Sequence, residues 1–369
     1  MKGTVIKRGS KWAVVIDLGR DPGGKRIRKW HSGFDTKRAA ESARVELLAS
    51  LAQGLYVPPS RVTLREWLAG WLESRQNLAD TTRDAYRWDL RRLEALGAVK
   101  LRDLTSAMIS GHYRTLNVAP KTVRNTHATL HKALSDAVRQ GLLARNPADH
   151  VELPRVERAD TETWTAGELA RFLAHVADHR LYAAWVLICS TGMRRSEVLG
   201  VRWQHVDLDA GRVAVVDTVV PVRNKPVLRI GETKSRRSRR VIALDTGTVA
   251  VLREHRRRQN EERLRAGPAW SDLGLAFTNE LGEMINPPWF TRTTKRLATE
   301  AGVPPLTPHR AARHTWATLA LASGVHPKVV QERLGHANIG TTLDRYSHVI
   351  EGMDRDAAET VAALISGER

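Results

Sequence analysis

The sequence has only one cysteine among its 369 residues. A single thiol cannot form an intramolecular disulfide, and it excludes zinc sites that are built on several cysteines. This residue, Cys189, ends the apolar run that begins at Leu181, and we interpret it as a small residue of the protein core. Paired cysteines therefore play no part in the fold or the chemistry of this chain.

Long hydrophobic runs are also missing. The apolar run that ends at Cys189 is too short to cross a bilayer, and the N-terminus has no apolar signal region. We find neither a basic amphipathic helix nor a lipidation signal, which would attach a protein to a membrane surface. The sequence therefore predicts a soluble, cytoplasmic protein with no membrane partner.

The common motifs for phosphate chemistry are absent as well. No glycine-rich loop ends in Gly-Lys-Ser/Thr, so nothing indicates nucleotide hydrolysis. No tight cluster of carboxylates suggests a two-metal nuclease, and no Gly-x-Ser-x-Gly motif marks a serine nucleophile. We therefore predict no metal and no cofactor. A protein of this kind that breaks phosphodiesters must supply the positive charge itself.

Positive charge is what the sequence has in excess. Lys and Arg total 59 against 40 Asp and Glu, which gives a net charge of +19 and a pI near 10.7. Such an excess favours a polyanionic partner, because each neutralised phosphate releases condensed counterions. The length suits two or three domains. Double-stranded DNA is the expected partner, and a merely basic protein without one is the alternative.

Residues 1–57 are predicted to form a small three-stranded sheet followed by a helix. Strands are predicted at Trp12–Leu18 and Lys25–Trp30, because both runs are rich in β-formers and a Gly/Pro turn separates them. The helix is predicted to be capped near Thr36. A basic sheet face could enter a DNA groove, and a solvated face is an equal alternative. The candidate DNA contacts in this region are Arg26 and Arg28.

Residues 62–150 show helical periodicity throughout. Thr63 is interpreted as the N-cap of a first helix, and three more helices are predicted to begin near Thr81, Ser106 and Lys121. Their apolar stripes predict the core of a compact bundle. Basic residues between the stripes are candidate phosphate contacts, although exposed arginines commonly touch only water. These candidates are Arg83, Arg87, Arg124 and Lys132.

Residues 160–369 form the third predicted domain, which begins with a helix at Thr165 and is mainly helical. A strand-rich insert interrupts it, with strands predicted at Arg212–Val216, Val227–Ile230 and Arg240–Leu244. Four separated islands of polar and basic residues follow one another along this domain. They contain, in order, Arg194 with Glu197, then Lys234, then His309 with Arg313, and finally His336 with Tyr346.

Each island alone is weak evidence, but together and in this order they resemble the catalytic domain of the tyrosine recombinases, the phage integrase family. The resemblance extends from Trp164 to about Ala363. Residues 62–150 resemble the helical, SAM-like core-binding domain of these enzymes. Residues 1–57 resemble the arm-type DNA-binding domain of integrases, in Trp12, Gly33-Phe34 and Thr36-Lys37. The fold class implied is multidomain and mainly α with small β-sheets, and its catalytic domain is α+β.

The resemblance implies a role for each of these residues in breaking a phosphodiester. This bond resists cleavage because its negative charge repels nucleophiles and its oxygen is a poor leaving group. Arg194 and Arg313 would grip the non-bridging oxygens, and Tyr346 would attack to give a 3′-phosphotyrosyl link. Lys234 would be the general acid for the 5′ oxygen. His336 would hydrogen-bond the phosphate, and the carboxylate of Glu197 would orient Arg194. Because the covalent link conserves the energy of the broken ester, rejoining would need no ATP.

One position departs from the family pattern. A histidine usually stands three residues before the second arginine, as His-x-x-Arg, but here Arg310 occupies that slot and His309 lies four residues before Arg313. Residues three and four apart share one face of a helix, so either side chain could reach the phosphate. We interpret His309 as the functional base, because an arginine cannot accept a proton at neutral pH.

The leading hypothesis is a site-specific integrase of a phage or another mobile element, acting on attachment sites as a homotetramer. A DNA-bending accessory protein and an excision factor are possible partners. The alternatives are an Xer-like resolvase of the shorter kind, a type IB topoisomerase and a non-catalytic DNA-binding regulator. A short apolar helix predicted at Ala357–Ile365 would pack on a neighbouring subunit or on its own domain.

Overall fold

A computed structural model describes residues 3–20, 23–53, 56–57, 60–156, 162–222, 225–230 and 239–343, together with positions 346, 358, 362–363 and 365–366. The chain divides into two compact units, Met1–Arg158 and Ala159–Arg369. The segment predicted as a C-terminal helix, Ala357–Ile365, lies largely outside the described residues. Lys234 lies outside them as well.

The first unit begins with the predicted sheet and helix. Strands β1 (Gly3–Arg8), β2 (Lys11–Arg20) and β3 (Arg26–Phe34) form an antiparallel sheet in that order, and α1 (Lys37–Ala52) packs against it. The Thr36 hydroxyl accepts a hydrogen bond from the Ala39 N–H at 3.1 Å, which confirms the predicted cap. The core of this part is small and is formed around Val14, Ile16 and Ala40.

A helical bundle completes the first unit. It contains α2 (Leu64–Glu73), α3 (Asp80–Arg92), α4 (Ser106–Thr115) and α5 (Pro120–Arg139), so the four predicted helices are confirmed to within two residues at their starts. Thr63 and Glu66 form a capping box at the start of α2. The apolar stripes meet in a core of their own, separate from the core of the sheet.

The second unit is larger and mixed. Its first part contains α6 (Ala166–His175), α7 (Tyr182–Thr191), α8 (Arg195–Leu199) and the strands β4 (Val206–Asp207), β5 (Arg212–Val215), β6 (Thr218–Val222), β7 (Lys225–Arg229) and β8 (Arg240–Ala243). Strands β4, β5 and β8 form an antiparallel sheet, and β6 pairs with β7 as a hairpin. The three predicted strands are β5, β7 and β8, whereas β4 and β6 were not predicted.

The remainder of the second unit contains α9 (Thr246–Ala266), α10 (Pro287–Glu300), a π-helical turn (His309–His314), α11 (Thr315–Ala322) and α12 (Pro327–Leu334). The helix α7 is buried almost all round. Its Trp185 stacks on Phe290 of α10 with ring centroids 5.5 Å apart, and the indole N–H donates to the Thr294 hydroxyl. This core fixes the C-terminal end of α7, where the candidate site begins.

Candidate active site

The first arginine of the candidate site lies just beyond α7. Gly192 ends this helix with a φ of 67°, a left-handed conformation that suits glycine. A Cβ atom at this position would lie 2.8 Å from Leu334 Cδ2 and 3.1 Å from Trp316 Cε3. Because glycine has no Cβ atom, α11 and α12 can lie close to the end of α7. The chain then turns into α8 and leaves Arg194 at its N-cap position.

Arg194 is held in place by a buried carboxylate. Its Nη1 donates to Glu197 Oε1 at 2.7 Å, and its backbone N–H donates to Glu197 Oε2 at 2.8 Å. Its other arm, Nη2, donates to the backbone carbonyl of Gly335 at 3.2 Å. The orienting role that the resemblance implies for Glu197 therefore has a direct geometric counterpart.

A second arginine holds Glu197 from the opposite side. Arg240 of β8 donates to both carboxylate oxygens, at 3.2 and 2.9 Å, and its Nε donates to the carbonyl of Arg333 at 2.6 Å. Burial of Glu197 opposes its ionisation, but the hydrogen bonds and charges of Arg240 and Arg194 outweigh that effect. The pKa of Glu197 therefore lies below its usual value. The carboxylate is charged at neutral pH and joins β8, α8 and the end of α12.

Arg313 lies on the π-helical turn and is only 1% exposed. Its Nη1 donates to the carbonyl of Gly192 at 2.8 Å, and its Nη2 donates to the carbonyl of Leu334 at 2.7 Å. Arg194 contacts the next carbonyl, that of Gly335, so both guanidinium groups meet at the C-terminal end of α12. Burial, and then the charge of Arg194, lowers the pKa of Arg313 to about 9.

Tyr346 is buried beside the same turn. Its hydroxyl lies 2.5 Å from Nδ1 of His314, and the two side chains are 1% and 4% exposed. The phenol ring packs in a small apolar cluster that includes Leu334 of α12. The ring of His309 meets the ring of His314 edge to face, with centroids 4.4 Å apart. The turn therefore brings two histidines and an arginine together near the tyrosine.

His336 follows Gly335 at the end of α12. Its Nδ1 lies 2.8 Å from the hydroxyl of Thr342, and its carbonyl accepts a hydrogen bond from Gln331 at 2.7 Å. His336 also lines a cleft of about 420 Å³ together with Arg239, Arg240 and Lys328. This cleft is rich in positive charge, which suits an anionic ligand.

Of the predicted catalytic set, five residues are described: Arg194, His309, Arg313, His336 and Tyr346. They lie at the start of α8, on the π-helical turn and in the segment after α12. Lys234 cannot be placed, because it lies outside the described residues.

The basic residues predicted to contact DNA through the bundle have intramolecular contacts as well. Arg83 donates to the carbonyls of Leu72 and Arg75 at the end of α2. Arg87 pairs with Asp84, Arg124 donates to the carbonyl of Pro154, and Lys132 donates to the Tyr86 hydroxyl. On the sheet, Arg26 and Arg28 are exposed on β3. Their role in DNA binding stays a prediction.

Two residues of the site were missed by sequence reasoning. His314 stands beside Arg313 in the third island, but no role was assigned to it. Arg240 was read only as the first residue of a strand, although it follows a run of arginines close to Lys234. The signal for both was their position inside or next to a catalytic island.

Neither a metal-binding cluster nor a membrane-spanning helix occurs in the described part of the chain. No group of three or more His, Cys, Asp or Glu side chains in those residues is arranged to hold a metal ion. None of the helices within the same residues is both long enough and apolar enough to cross a membrane.

Two sequence families match separate parts of the chain. Residues 163–352 match the phage integrase family, and residues 5–51 match an arm DNA-binding domain. A relative named tyrosine recombinase XerC-like, from Caldanaerobacter subterraneus subsp. tengcongensis, is 31% identical. The alignment covers 98% of this chain and 99% of that protein.

Solved structures share the fold. The integrase of the transposon Tn1549, in complex with transposon right end DNA, superposes with a TM-score of 0.71 at 20% identity, and the match covers 82% of this chain and 100% of that one. A lambda integrase tetramer bound to a Holliday junction gives 0.57 at 18% identity, over 92% of this chain and 94% of that one. Because the family match spans half of the chain and the XerC-like relative spans nearly all of it, this chain belongs to the phage integrase family and is a tyrosine recombinase.

Proposed function

We propose that this recombinase is a site-specific integrase, which cleaves and rejoins attachment-site DNA through a 3′-phosphotyrosyl intermediate. The observation that carries the proposal is the meeting of Arg194 and Arg313 at the end of α12, with Tyr346 hydrogen-bonded to the residue next to Arg313. Two fixed guanidinium groups beside a buried phenol suit the transfer of a phosphoryl group to that phenol.

The guanidinium groups of both arginines are held in position before DNA binds. Each guanidinium group is oriented by carbonyl or carboxylate acceptors, so little reorganisation is needed when a phosphate binds. The lowered pKa of Arg313 reports that burial and the neighbouring charge of Arg194 are unfavourable to its positive charge. A scissile phosphate would offset both effects. The site therefore favours the negative charge that grows in the transition state.

The other groups complete the reaction. The Tyr346 oxygen loses its proton to a histidine of the π-helical turn and attacks phosphorus while the bond to the 5′ oxygen breaks, and His336 hydrogen-bonds the phosphate. Lys234 donates the proton that the leaving 5′ oxygen needs, a role that rests on the resemblance alone. Rejoining is the same reaction in reverse, with a 5′ hydroxyl of another strand as the attacking group.

The π-helical turn favours His309 over Arg310 as the histidine of the family pattern. A π-helical turn takes about one residue more than an α-helical turn. A pair four residues apart in it therefore corresponds to a pair three apart in an α-helix. His309 and Arg313 are such a pair, so the turn accommodates one extra residue and still reproduces His-x-x-Arg. His309 also contacts His314, the partner of Tyr346.

We expect the exchange His309→Ala to lower the rate of covalent adduct formation by roughly a hundredfold to a thousandfold, the usual effect of losing one side chain that hydrogen-bonds a transition-state oxygen. Arg310→Ala, one residue later on the same turn, is the matched control and should cost far less. Single-turnover cleavage of a nicked crossover site measures both rates. A greater loss for Arg310→Ala would overturn the assignment.

We assign the DNA contacts outside the active site to two further domains. Residues 1–57 would bind arm sites through Arg26 and Arg28, as their match to an arm DNA-binding domain supports. Residues 62–150 would clamp the crossover site through Arg83, Arg87, Arg124 and Lys132. The enzyme would act on DNA in the cytoplasm as a homotetramer on two duplexes, and the solved lambda integrase tetramer on a Holliday junction supports a tetrameric assembly.

A resolvase is the second candidate, because the relative that spans nearly all of the chain carries a XerC-like name. The arm-type domain at residues 5–51 favours an integrase instead. An attachment site and an excision gene next to the coding sequence would support integration.

Adduct mapping tests the proposed reaction. The protein is incubated in EDTA with DNA from the region around its own gene, quenched in detergent and digested. Peptides that carry a nucleotide are then sequenced by mass spectrometry. We expect a 3′-linked nucleotide on Tyr346. The DNA that adjoins this nucleotide gives the crossover site. Tight DNA binding without any adduct would instead support a non-catalytic regulator.

A further inference from the structure

The contact between His314 and Tyr346 is the shortest link between the nucleophile and another titratable side chain that the described residues show. The phenol oxygen and the imidazole Nδ1 are 2.5 Å apart, and both side chains are almost completely buried. A buried hydrogen bond of this length fixes the position of the phenol oxygen and excludes water from its proton. His314 is therefore placed to act on the proton that must leave when Tyr346 attacks.

The direction of this hydrogen bond follows from the chemistry of the two groups. Phenols carry their proton at neutral pH, and a neutral imidazole has one nitrogen that accepts and one that donates. With a neutral imidazole, the Tyr346 hydroxyl donates to Nδ1, and the ring proton of His314 is then on Nε2. In this arrangement the acceptor nitrogen already contacts the proton that it would remove.

The surrounding turn holds His314 rigidly. Its neighbour Thr315 accepts a hydrogen bond from the Trp164 N–H at 2.9 Å and donates to the carbonyl of Arg310 at 3.1 Å. On the other side, Arg313 is fixed by the carbonyls of Gly192 and Leu334. One short segment thus presents an arginine for the phosphate and a histidine for the nucleophile.

We propose that His314 is a catalytic residue that accepts the phenol proton of Tyr346 during strand cleavage, a role that rests on the proposed integrase reaction. The O–H bond of Tyr346 breaks, its proton passes to Nδ1, and the phenol oxygen forms the bond to phosphorus. The bond from phosphorus to the 5′ oxygen breaks, and Lys234 protonates that oxygen. During rejoining, Lys234 takes back the proton of the attacking 5′ hydroxyl, and the imidazolium of His314 returns its proton to the departing phenol oxygen. His309, which is exposed and contacts the ring of His314, then acts at the phosphate and not as the base that the sequence predicted.

Two variants separate proton transfer from packing. His314→Asn keeps a polar group near the Nδ1 position that can hydrogen-bond the phenol, but an amide cannot take its proton. His314→Ala leaves a cavity in which added imidazole can replace the lost ring. Each variant, the unaltered protein and Tyr346→Phe are incubated with the nicked crossover DNA found by adduct mapping. Adduct formation is then timed in a single turnover, with and without imidazole.

We expect both His314 variants to form the adduct roughly a hundredfold to ten-thousandfold more slowly than the unaltered protein. DNA affinity, measured by anisotropy, should stay unchanged. Imidazole should restore part of the rate to His314→Ala and nothing to Tyr346→Phe. If His314→Ala does not fold, as judged by circular dichroism, the rate of His314→Asn decides.

Three results would overturn the assignment. Unaltered or faster cleavage by His314→Ala would show that the hydrogen bond is dispensable or holds Tyr346 back. A normal rate for His314→Asn alone would reduce His314 to a positioning residue. A folded His314→Ala protein that imidazole does not rescue would also count against proton transfer. If the unaltered protein forms no adduct, the proposed integrase reaction itself fails, and that outcome is distinct from these three.

Discussion

Replacing Tyr346 with Phe is expected to abolish covalent attachment to DNA while DNA binding persists. The exchange removes only the phenol oxygen, which is the atom proposed to bond to phosphorus. The aromatic ring stays, so the apolar cluster around Leu321, Val330 and Leu334 remains filled. Losing one hydrogen bond to His314 costs about 1 kcal/mol of unfolding free energy, and leaving the imidazole nitrogen unpaired can raise this to about 3 kcal/mol. A fold of this size should tolerate either value.

The measurement is denaturing electrophoresis of the protein after incubation with labelled crossover DNA. Tyr182→Phe is the matched control, because Tyr182 is a partly buried tyrosine of the same domain that packs against its core. This control should form the adduct at the normal rate. An adduct that survives in Tyr346→Phe would place the nucleophile at another residue.

Local signals in the sequence were enough to predict the first six helices, α1 to α6. Thr63 and Thr165 are each followed three residues later by a glutamate, and the structure has a capping box at both positions. Such signals depend on neighbours in the chain alone. Strand β6 was missed because Pro221 interrupts it, and proline within a run argues against a strand. The sheet of β6 and β7 has only two strands, and the residue opposite Pro221 is Pro226, so the hairpin tolerates a proline at this position.

The contacts within the site were harder to predict than its members. The order of the four islands indicated the catalytic residues through resemblance, but no periodicity relates Arg240 to Glu197, which lies 43 residues earlier. Their ion pair exists because β8 is placed beside α8 by the packing of the whole domain. The π-helical turn was also unpredictable, since the side-chain pattern of six residues does not distinguish it from an α-helix.

The unusual turn explains why the sequence left His309 and Arg310 as alternatives. On an α-helix both residues share a face with Arg313, so spacing alone could not separate them. The π-helical turn changes this relation, and it ends at His314, which contacts Tyr346. One local departure from regular helix geometry therefore bears on two features of the proposed chemistry.

Arg313→Lys is expected to slow adduct formation by roughly a hundredfold to a thousandfold, the usual effect of losing one preorganised donor to a transition-state oxygen. A lysine keeps the positive charge, but its ammonium cannot match the planar fork that now binds the carbonyls of Gly192 and Leu334. Charge alone would then be present without the orientation that aims it at the phosphate.

The control for this exchange is Arg257→Lys, which alters an exposed arginine of α9 that pairs with Glu254 and Glu261. Exposed pairs of this kind contribute little, so its cleavage rate should be normal. DNA affinity should hold in both variants, because binding is spread over many phosphate contacts. Single-turnover rates compared with binding isotherms separate the two effects. A normal rate for Arg313→Lys would mean that this residue only joins α7 to α12, and that Arg194 carries the transition-state charge without it.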